Sequence, residues 1–226
     1  MIYFIAAGKG SRMKSDLPKA LHDVNGEPNL VRNVKLLKED YRVVVNRGQF
    51  KLFSEYVPAK NILEIDSGLG SGHAIMQIPL KDNDIVIWGD AVIVDPKIID
   101  EIKGQDGFAI PLKRVKNPYV NFLCDKNLKV QETLFAKYGE TSKTGLQDCC
   151  IFKVTQKSRQ QLEDLHNAIW KGRYITESNE FEYLYLMHYK FNINDPANGY
   201  ITEYPNAIES YNTKEELNKI EKKINA

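Results

Sequence analysis

The chain has 226 residues, of which 42% are hydrophobic, 10% aromatic and 27% charged. That supplies apolar material for a sizeable core, excludes disorder and collagen-like order, and fits one domain, or a domain with an appended lobe. The net charge is only +1, so no broad basic field marks nucleic acid as a partner, and no apolar run reaches the roughly 18 residues of a membrane helix. The apolar start, Met1 to Ala7, carries neither a basic leader nor a cleavage site and reads as a strand, not a signal peptide. Cys124, Cys149 and Cys150 are an odd number without metal spacing, which predicts reduced core thiols in a cytoplasmic protein.

Residues 2–5 are a β-branched and aromatic run, the first strand. A loop of small residues follows from Ala6 to Met13 and continues to Leu21, with Pro18 keeping the backbone out of a helix. Asn25-Gly26 marks a tight hairpin turn. Near Pro28 a helix opens, with Leu30, Val31, Val34 and Leu37 on one face. Strands are predicted over residues 42–46, 62–65 and 84–88, the last stopping at Gly89-Asp90. A second glycine-rich loop, Gly68 to Gly72, opens a helix that Pro79 stops after Ile78, and 96–102 is a further short helix. The alternation over 1–103 predicts a parallel sheet covered on both faces.

Beyond it the pattern changes. Short strands are predicted over 108–112, 120–124, 129–132 and 149–154, helices over 156–169 and 180–191, and brief extended pieces over 200–203 and 207–211. Thr213 caps a last helix, with Glu216 as its capping-box partner. The charges of that helix are interleaved with Leu217, Ile220 and Ile224, which makes a solvated face and not a nucleic-acid patch. No linker or repeat divides the chain, so residues 1–226 read as one α/β domain.

The sharpest chemical signal is the loop after the first strand. A strand ending at Gly8-x-Gly10 presents several main-chain N–H groups to one side, and such a nest binds phosphate. Arg12 adds a permanently charged fork and Lys19 a mobile point charge. The dinucleotide fingerprint fails because Met13 stands where its third glycine belongs, and a Walker A loop fails because Gly10 follows Gly8-Lys9.

The string Ala6-Ala7-Gly8-Lys9-Gly10-Ser11-Arg12-Met13, continued by Leu17-Pro18-Lys19-Ala20-Leu21-His22, resembles the nucleotidyltransferases of the GT-A-like α/β fold. In particular it is similar to the uridylyltransferase half of bifunctional N-acetylglucosamine-1-phosphate uridylyltransferases. Leu69-Gly70-Ser71-Gly72-His73-Ala74 resembles the family's loop under base and ribose, Gly89-Asp90 its metal-binding Asp, and Glu209-Ser210-Tyr211-Asn212 its second metal ligand. The resemblance implies a Rossmann-like, mostly parallel mixed sheet flanked by helices, with an acceptor-side lobe from the second half. It implies nucleotide binding by Ala6, Ala7, Gly8, Lys9, Gly10, Ser11, Arg12, Lys19, Ser67, Gly68, Gly70, Ser71 and Gly72, with Arg12 and Lys19 catalytic. Mg2+ falls to Asp90 and Asn212, and the acceptor to Glu132 and Gln147. Residues 1–103 would form the nucleotide-binding half and 104–226 the acceptor-binding half. The hexapeptide repeats of the bifunctional members are not in this sequence, so acetyl transfer is not implied.

The expected reaction joins a pyrimidine nucleoside triphosphate to a sugar phosphate or other small phosphorylated acceptor, with release of pyrophosphate. Uridylyl members place a Gln just before the second loop, where this chain has Gly68, and Asp66 or Ser67 offers an acceptor for a cytosine amino group, so UTP and CTP both stay open. Asn212 precedes Thr213, so preparing the helix cap is its competing role. His73 reads as a packing or backbone-bonding residue. A GT-A-type glycosyltransferase and a non-catalytic nucleotide-binding protein are the alternatives, the first weakened by the lack of an Asp-x-Asp motif at Asp90. Self-association stays open.

Overall fold

A computed structural model of the chain describes residues 1–8, 15, 17–66, 70–136, 139–140, 142–170 and 180–225. The first half runs β1 (Ile2–Ile5), β2 (Asp23–Val24), β3 (Glu27–Pro28), α1 (Asn29–Leu37), β4 (Tyr41–Asn46), α2 (Phe50–Ser54), β5 (Ile62–Ile65), α3 (Ser71–Met76), β6 (Ile85–Trp88), β7 (Ala91–Ile93) and α4 (Lys97–Lys103). The second runs β8 (Ala109–Lys116), β9 (Val120–Cys124), β10 (Val130–Phe135), β11 (Thr144–Asp148), β12 (Ile151–Lys153), α5 (Gln156–Trp170), α6 (Tyr185–Asn192), β13 (Asn198–Ile201), β14 (Ile208–Ser210) and α7 (Lys214–Ile224).

One eight-stranded sheet joins both halves in the order β11-β8-β12-β6-β1-β4-β5, with β13 also on β8. Strands β6, β1, β4 and β5 are mutually parallel, while β12 and β11 enter antiparallel. This is the mixed, mostly parallel sheet flanked by helices that the resemblance implies. Side chains alternate across each strand. Ile2 and Phe4 therefore pack with Leu30, Phe53, Ile98 and Ile102 on one face, and Tyr3 and Ile5 with Ile75, Ile78, Leu162 and Leu186 on the other. Both faces are buried, which is why the first strand shows no polar alternation. Cys124, Cys149 and Cys150 are free thiols, and burial pushes Cys149 up to about 12. No helix among the described residues is long and apolar enough to cross a membrane.

Two details of this architecture place the site. First, Gly89 N–H donates to Ile5 O at 2.9 Å where the ends of β6 and β1 meet. A Cβ at Gly89 would stand 2.7 Å from that oxygen and 2.9 Å from Ala6 Cα, so only glycine permits the approach. Second, buried Asn29 and Asn33 on α1 both donate to Ala91 O at 2.8 Å, and Ile93 N–H donates to Asn33 Oδ1 at 3.1 Å. They pin β7, which pairs antiparallel with β14 with Ser210 opposite Ala91. One step beyond that pair, Asp90 on one strand faces the Tyr211-Asn212 segment on the other.

The structure departs from the sequence reading in places. Strands Ala91–Ile93 and Thr144–Asp148 were not predicted: the first is only three residues long, and the second mixes Gly and Asp into a sheet edge. The helix expected over 180–191 begins at Tyr185. Lys19–Leu21 forms one 3-10 turn instead of open loop. The Asn25-Gly26 hairpin is present, with φ of 55° and 83°, as is the Thr213–Glu216 capping box.

Candidate active site

The site is built around Lys19. Leu21 N–H donates to Pro18 O at 2.8 Å and His22 N–H to Lys19 O at 3.1 Å, closing the turn. The hydroxyl of fully buried Tyr211 also donates to Lys19 O. Burial, then the Asp90 charge, raises that phenol well above its usual range, so it stays a neutral donor. The Lys19 backbone is thus held by contacts that do not involve its side chain.

The ammonium of Lys19 donates to Asp90 Oδ2 at 3.0 Å, Asn212 Oδ1 at 2.9 Å and Tyr211 O at 3.2 Å. An ammonium has three N–H donors and no acceptor, so these three oxygens saturate it. Lys19 and Asp90 are 71 residues apart in sequence, and Lys19 and Asn212 are 193 apart. Their side chains keep some exposure, 14% for Lys19 and 27% for Asp90. Asn212 also takes part in the helix cap, but through its backbone: its N–H donates to Glu216 Oε2 at 2.6 Å. The side-chain oxygen is left for the cluster, so the two readings of this residue are compatible.

Would a divalent ion fit here? Asp90 and Asn212 present hard oxygens that converge on one cation, the Lys19 ammonium. Magnesium takes one or two carboxylates and completes its shell with water and substrate phosphate. Among the described residues no group of three or more His, Cys, Asp or Glu is poised for a metal, so a metal site here is of that sparse kind. The donor set fits.

A second carboxyl lies behind Asp90. Asp148 Oδ2 accepts from Cys150 N–H at 2.9 Å, Cys150 sits at φ 61°, and Cys150 O accepts from Trp88 N–H at 3.1 Å. Asp148 therefore braces a left-handed turn against the end of β6. Burial pushes its carboxyl up to about 6, with the Asp90 charge adding, against the lowering effect of backbone N–H groups and Lys113. The raised acid contributes stability that is complete below its unfolded value of 3.8 and lost as pH rises through about 6. Asp148→Asn keeps the acceptor for Cys150 and removes the titration. Between pH 4 and pH 7 we expect urea denaturation to shift in favour of the variant by about 2 kcal/mol relative to wild type. An unchanged difference between the two proteins across that range would place the buried charge elsewhere. Sequence reasoning passed over Asp148 and chose its neighbour Gln147. The antiparallel register, with Gln147 opposite Lys113 and Asp148 opposite Leu112, puts the two on opposite faces.

The other predicted residues fare differently. Ala6 is buried and donates its N–H to Val44 O at 2.8 Å, Ala7 is half-buried and Gly8 exposed at the sheet's carboxyl edge. Lys9, Gly10, Ser11, Arg12, Ser67 and Gly68 lie outside the described residues. Gly70 and Gly72 pack against the second half: a Cβ on Gly70, at φ 96°, would stand 2.5 Å from Phe181 O, and Gly72 N–H donates to that oxygen at 2.8 Å. Ser71 Oγ donates to Glu182 Oε2 at 3.1 Å and accepts from Tyr183 N–H at 2.9 Å. These polar groups already have protein partners. Gln77 brackets the backbone of Asp66, accepting from its N–H at 2.9 Å and donating to its oxygen at 3.0 Å, and also meets His73 Nδ1 at 3.2 Å. The exposed Asp66 carboxylate pairs with Arg47 at 2.8 Å. Gln147 Oε1 accepts from Tyr119 N–H at 3.0 Å, and Glu132 is exposed on β10 opposite Leu123. Neither is among the described residues that bond to Lys19.

A parallel sheet whose first strand leads into a glycine loop, with Lys, Asp and Asn gathered beyond its edge, is the arrangement implied by the resemblance to nucleotidyltransferases. Comparison with known proteins supports that resemblance in sequence and in fold. The bifunctional protein GlmU of Picosynechococcus sp. is 31% identical over 142 residues, which is 55% of this chain and 32% of that protein. Its counterpart in Cupriavidus pinatubonensis is 36% identical over 129 residues, 52% of this chain and 28% of that protein. The matched segments thus span about a third of these relatives or less. Among solved structures, the CTP:phosphocholine cytidylyltransferase LicC of Streptococcus pneumoniae superposes with a TM-score of 0.74 at 17% identity, covering 99% of this chain and 98% of that one. The inositol-1-phosphate CTP transferase of T. maritima gives 0.71 at 13% identity, covering 99% and 95%. The fold is theirs. No family model matches the chain.

Proposed function

We propose that the chain is a magnesium-dependent nucleotidyltransferase that joins UTP or CTP to a small phosphorylated acceptor and releases pyrophosphate. The observation that carries this reading is the meeting of Lys19, Asp90 and Asn212, from three distant segments, at the sheet's carboxyl edge. Ligands of open α/β sheets gather beyond that edge. Neighbours named as cytidylyltransferase, CTP transferase, thymidylyltransferase and UDP-glucose pyrophosphorylase support the reaction class. Those named for phosphocholine, inositol 1-phosphate and glucose 1-phosphate support a small phosphorylated acceptor without selecting one. The three free thiols accord with a reducing, cytoplasmic setting.

In this reading an oxygen of the acceptor's phosphate attacks the α-phosphorus, a new P–O bond forms, and the α–β bond breaks to release pyrophosphate. Negative charge shifts among the phosphoryl oxygens, so catalysis is positioning plus electrostatics. Main-chain N–H groups of Gly8 to Ser11 and the guanidinium of Arg12 hold the β- and γ-phosphates. Lys19 faces the α-phosphate and the incoming acceptor. Ala6, Ala7, Ser67, Gly68, Gly70, Ser71 and Gly72 line the nucleoside side through their backbone, and Glu132 and Gln147 the acceptor side. Asp90 and Asn212 would hold Mg2+, whose charge, when bound, offsets that of the phosphates. The acceptor phosphate is already anionic at neutral pH, so no protein nucleophile is required.

The test is a matrix of four nucleoside triphosphates against phosphorylated acceptors, read by pyrophosphate release with and without magnesium. We expect one pyrimidine nucleotide and one acceptor class to give magnesium-dependent pyrophosphate. Release of a nucleoside diphosphate when a nucleotide sugar is supplied in place of the triphosphate would reassign the chain to the glycosyltransferases. Nucleotide binding without any product across the panel would make it a non-catalytic binder.

A further inference from the structure

Lys19 stands where a divalent ion would have to stand. Its ammonium uses all three N–H groups on Asp90 Oδ2, Asn212 Oδ1 and Tyr211 O, at 2.9 to 3.2 Å. Two of these oxygens belong to the residues assigned to magnesium. An ammonium bonded to these oxygens opposes a divalent ion on the same two residues, because their like charges repel at that separation. In this geometry the protein's own cation occupies the Asp90 and Asn212 oxygens. Among the described residues bonded to it, the ammonium meets one carboxylate and two neutral carbonyl oxygens.

We propose that Lys19 is an internal stand-in for the metal and sets the order of binding. Resting on the nucleotidyltransferase reading above, this means that a divalent ion enters the Asp90–Asn212 position only together with a triphosphate. A lone divalent ion would have to displace a well-bonded ammonium and would gain a single carboxylate. A triphosphate changes both sides of the exchange. It supplies further anionic oxygens to the ion, and it offers the displaced ammonium new acceptors. The same event that seats the ion thus frees Lys19 to face the phosphates. The backbone of Lys19 permits this, since the 3-10 turn and the Tyr211 hydroxyl hold it without the side chain. The pair is also partly open to solvent, so the exchange needs no unfolding.

The inference is tested on the full chain without turnover, using Mn2+ as a paramagnetic probe titrated with and without a non-hydrolysable UTP or CTP analogue. Wild type should bind Mn2+ at this position at least about tenfold more weakly without the analogue than with it. Lys19→Met should bind Mn2+ at least about tenfold more tightly than wild type when no nucleotide is present. The gain should vanish in the double variant Lys19→Met, Asp90→Asn. Should Lys19→Met fold poorly by circular dichroism, Lys19→Gln keeps a donor for Asp90 while removing the charge and should move the affinity in the same direction. Nucleotide-free affinity in both lysine variants equal to that of wild type overturns the stand-in role. If that happens while Mn2+ binding with the analogue still depends on Asp90, the metal assignment survives and only the exchange is wrong. If Asp90→Asn alone leaves the nucleotide-supported Mn2+ binding intact, the metal assignment falls and the exchange falls with it.

Discussion

Lys19→Ala is expected to lower turnover by about 10²–10³-fold, the scale on which one charge-stabilising donor contributes to a transition state. Two features favour an effect at the upper end. In the proposed reaction Lys19 is the cation placed to face both reacting phosphates, and its point charge cannot be replaced by water. The chain should nonetheless remain folded. The Lys19 backbone keeps its bonds to His22 N–H and Tyr211 Oη, and the Asp90 carboxylate is open enough to take water in place of the ammonium. An ion pair of that exposure contributes on the order of 1 kcal/mol or less. Turnover at saturating substrates, measured beside a thermal melt, separates the two effects. Near-normal turnover in a folded Lys19→Ala protein would remove the lysine from the chemistry. The expected signs also diverge in an informative way: loss of this side chain should slow the reaction while strengthening metal binding in the absence of nucleotide.

Much of the site was legible because its residues sit at ends of recognisable elements. Asp90 closes an apolar strand, Lys19 follows a proline that breaks the loop, and Asn212 precedes a capping box with an unambiguous pattern. Each signal is local, and the resemblance ordered them along the chain. What the sequence could not supply was their convergence. That depends on β7 and β14, two three-residue strands too short to show a period, and on Asn29 and Asn33, whose buried amides grip Ala91 from within an apolar helix face. The second glycine loop shows a different limit. Its glycines read as a cradle for a ligand, and the close neighbour of Gly70 and Gly72 in the structure is Phe181. A glycine records that something approaches the backbone closely, and composition alone does not distinguish a ligand from an aromatic ring of the same chain.

Asp90→Asn should have the larger effect, because it removes the carboxylate that, among the described residues, bonds to Lys19, while keeping its shape. The asparagine oxygen can still accept from Lys19, so the local hydrogen bonds survive and stability should change by about 1 kcal/mol or less. Chemistry should not survive so well. With the carboxylate gone, a divalent ion at Asn212 would lose the charged oxygen of the pair, and its retention would lean on the phosphates. The expected result is a loss of about 10³-fold or more in turnover, roughly 4 kcal/mol of barrier, that added magnesium does not recover. Asn212→Ala should cost less, since it deletes a neutral ligand and leaves the charge. The ranking carries the argument: if Asn212→Ala proves more damaging than Asp90→Asn, then the asparagine acts mainly by holding Lys19 or the helix start. If Asp90→Asn retains a magnesium response with the wild-type midpoint, the ion sits on other ligands.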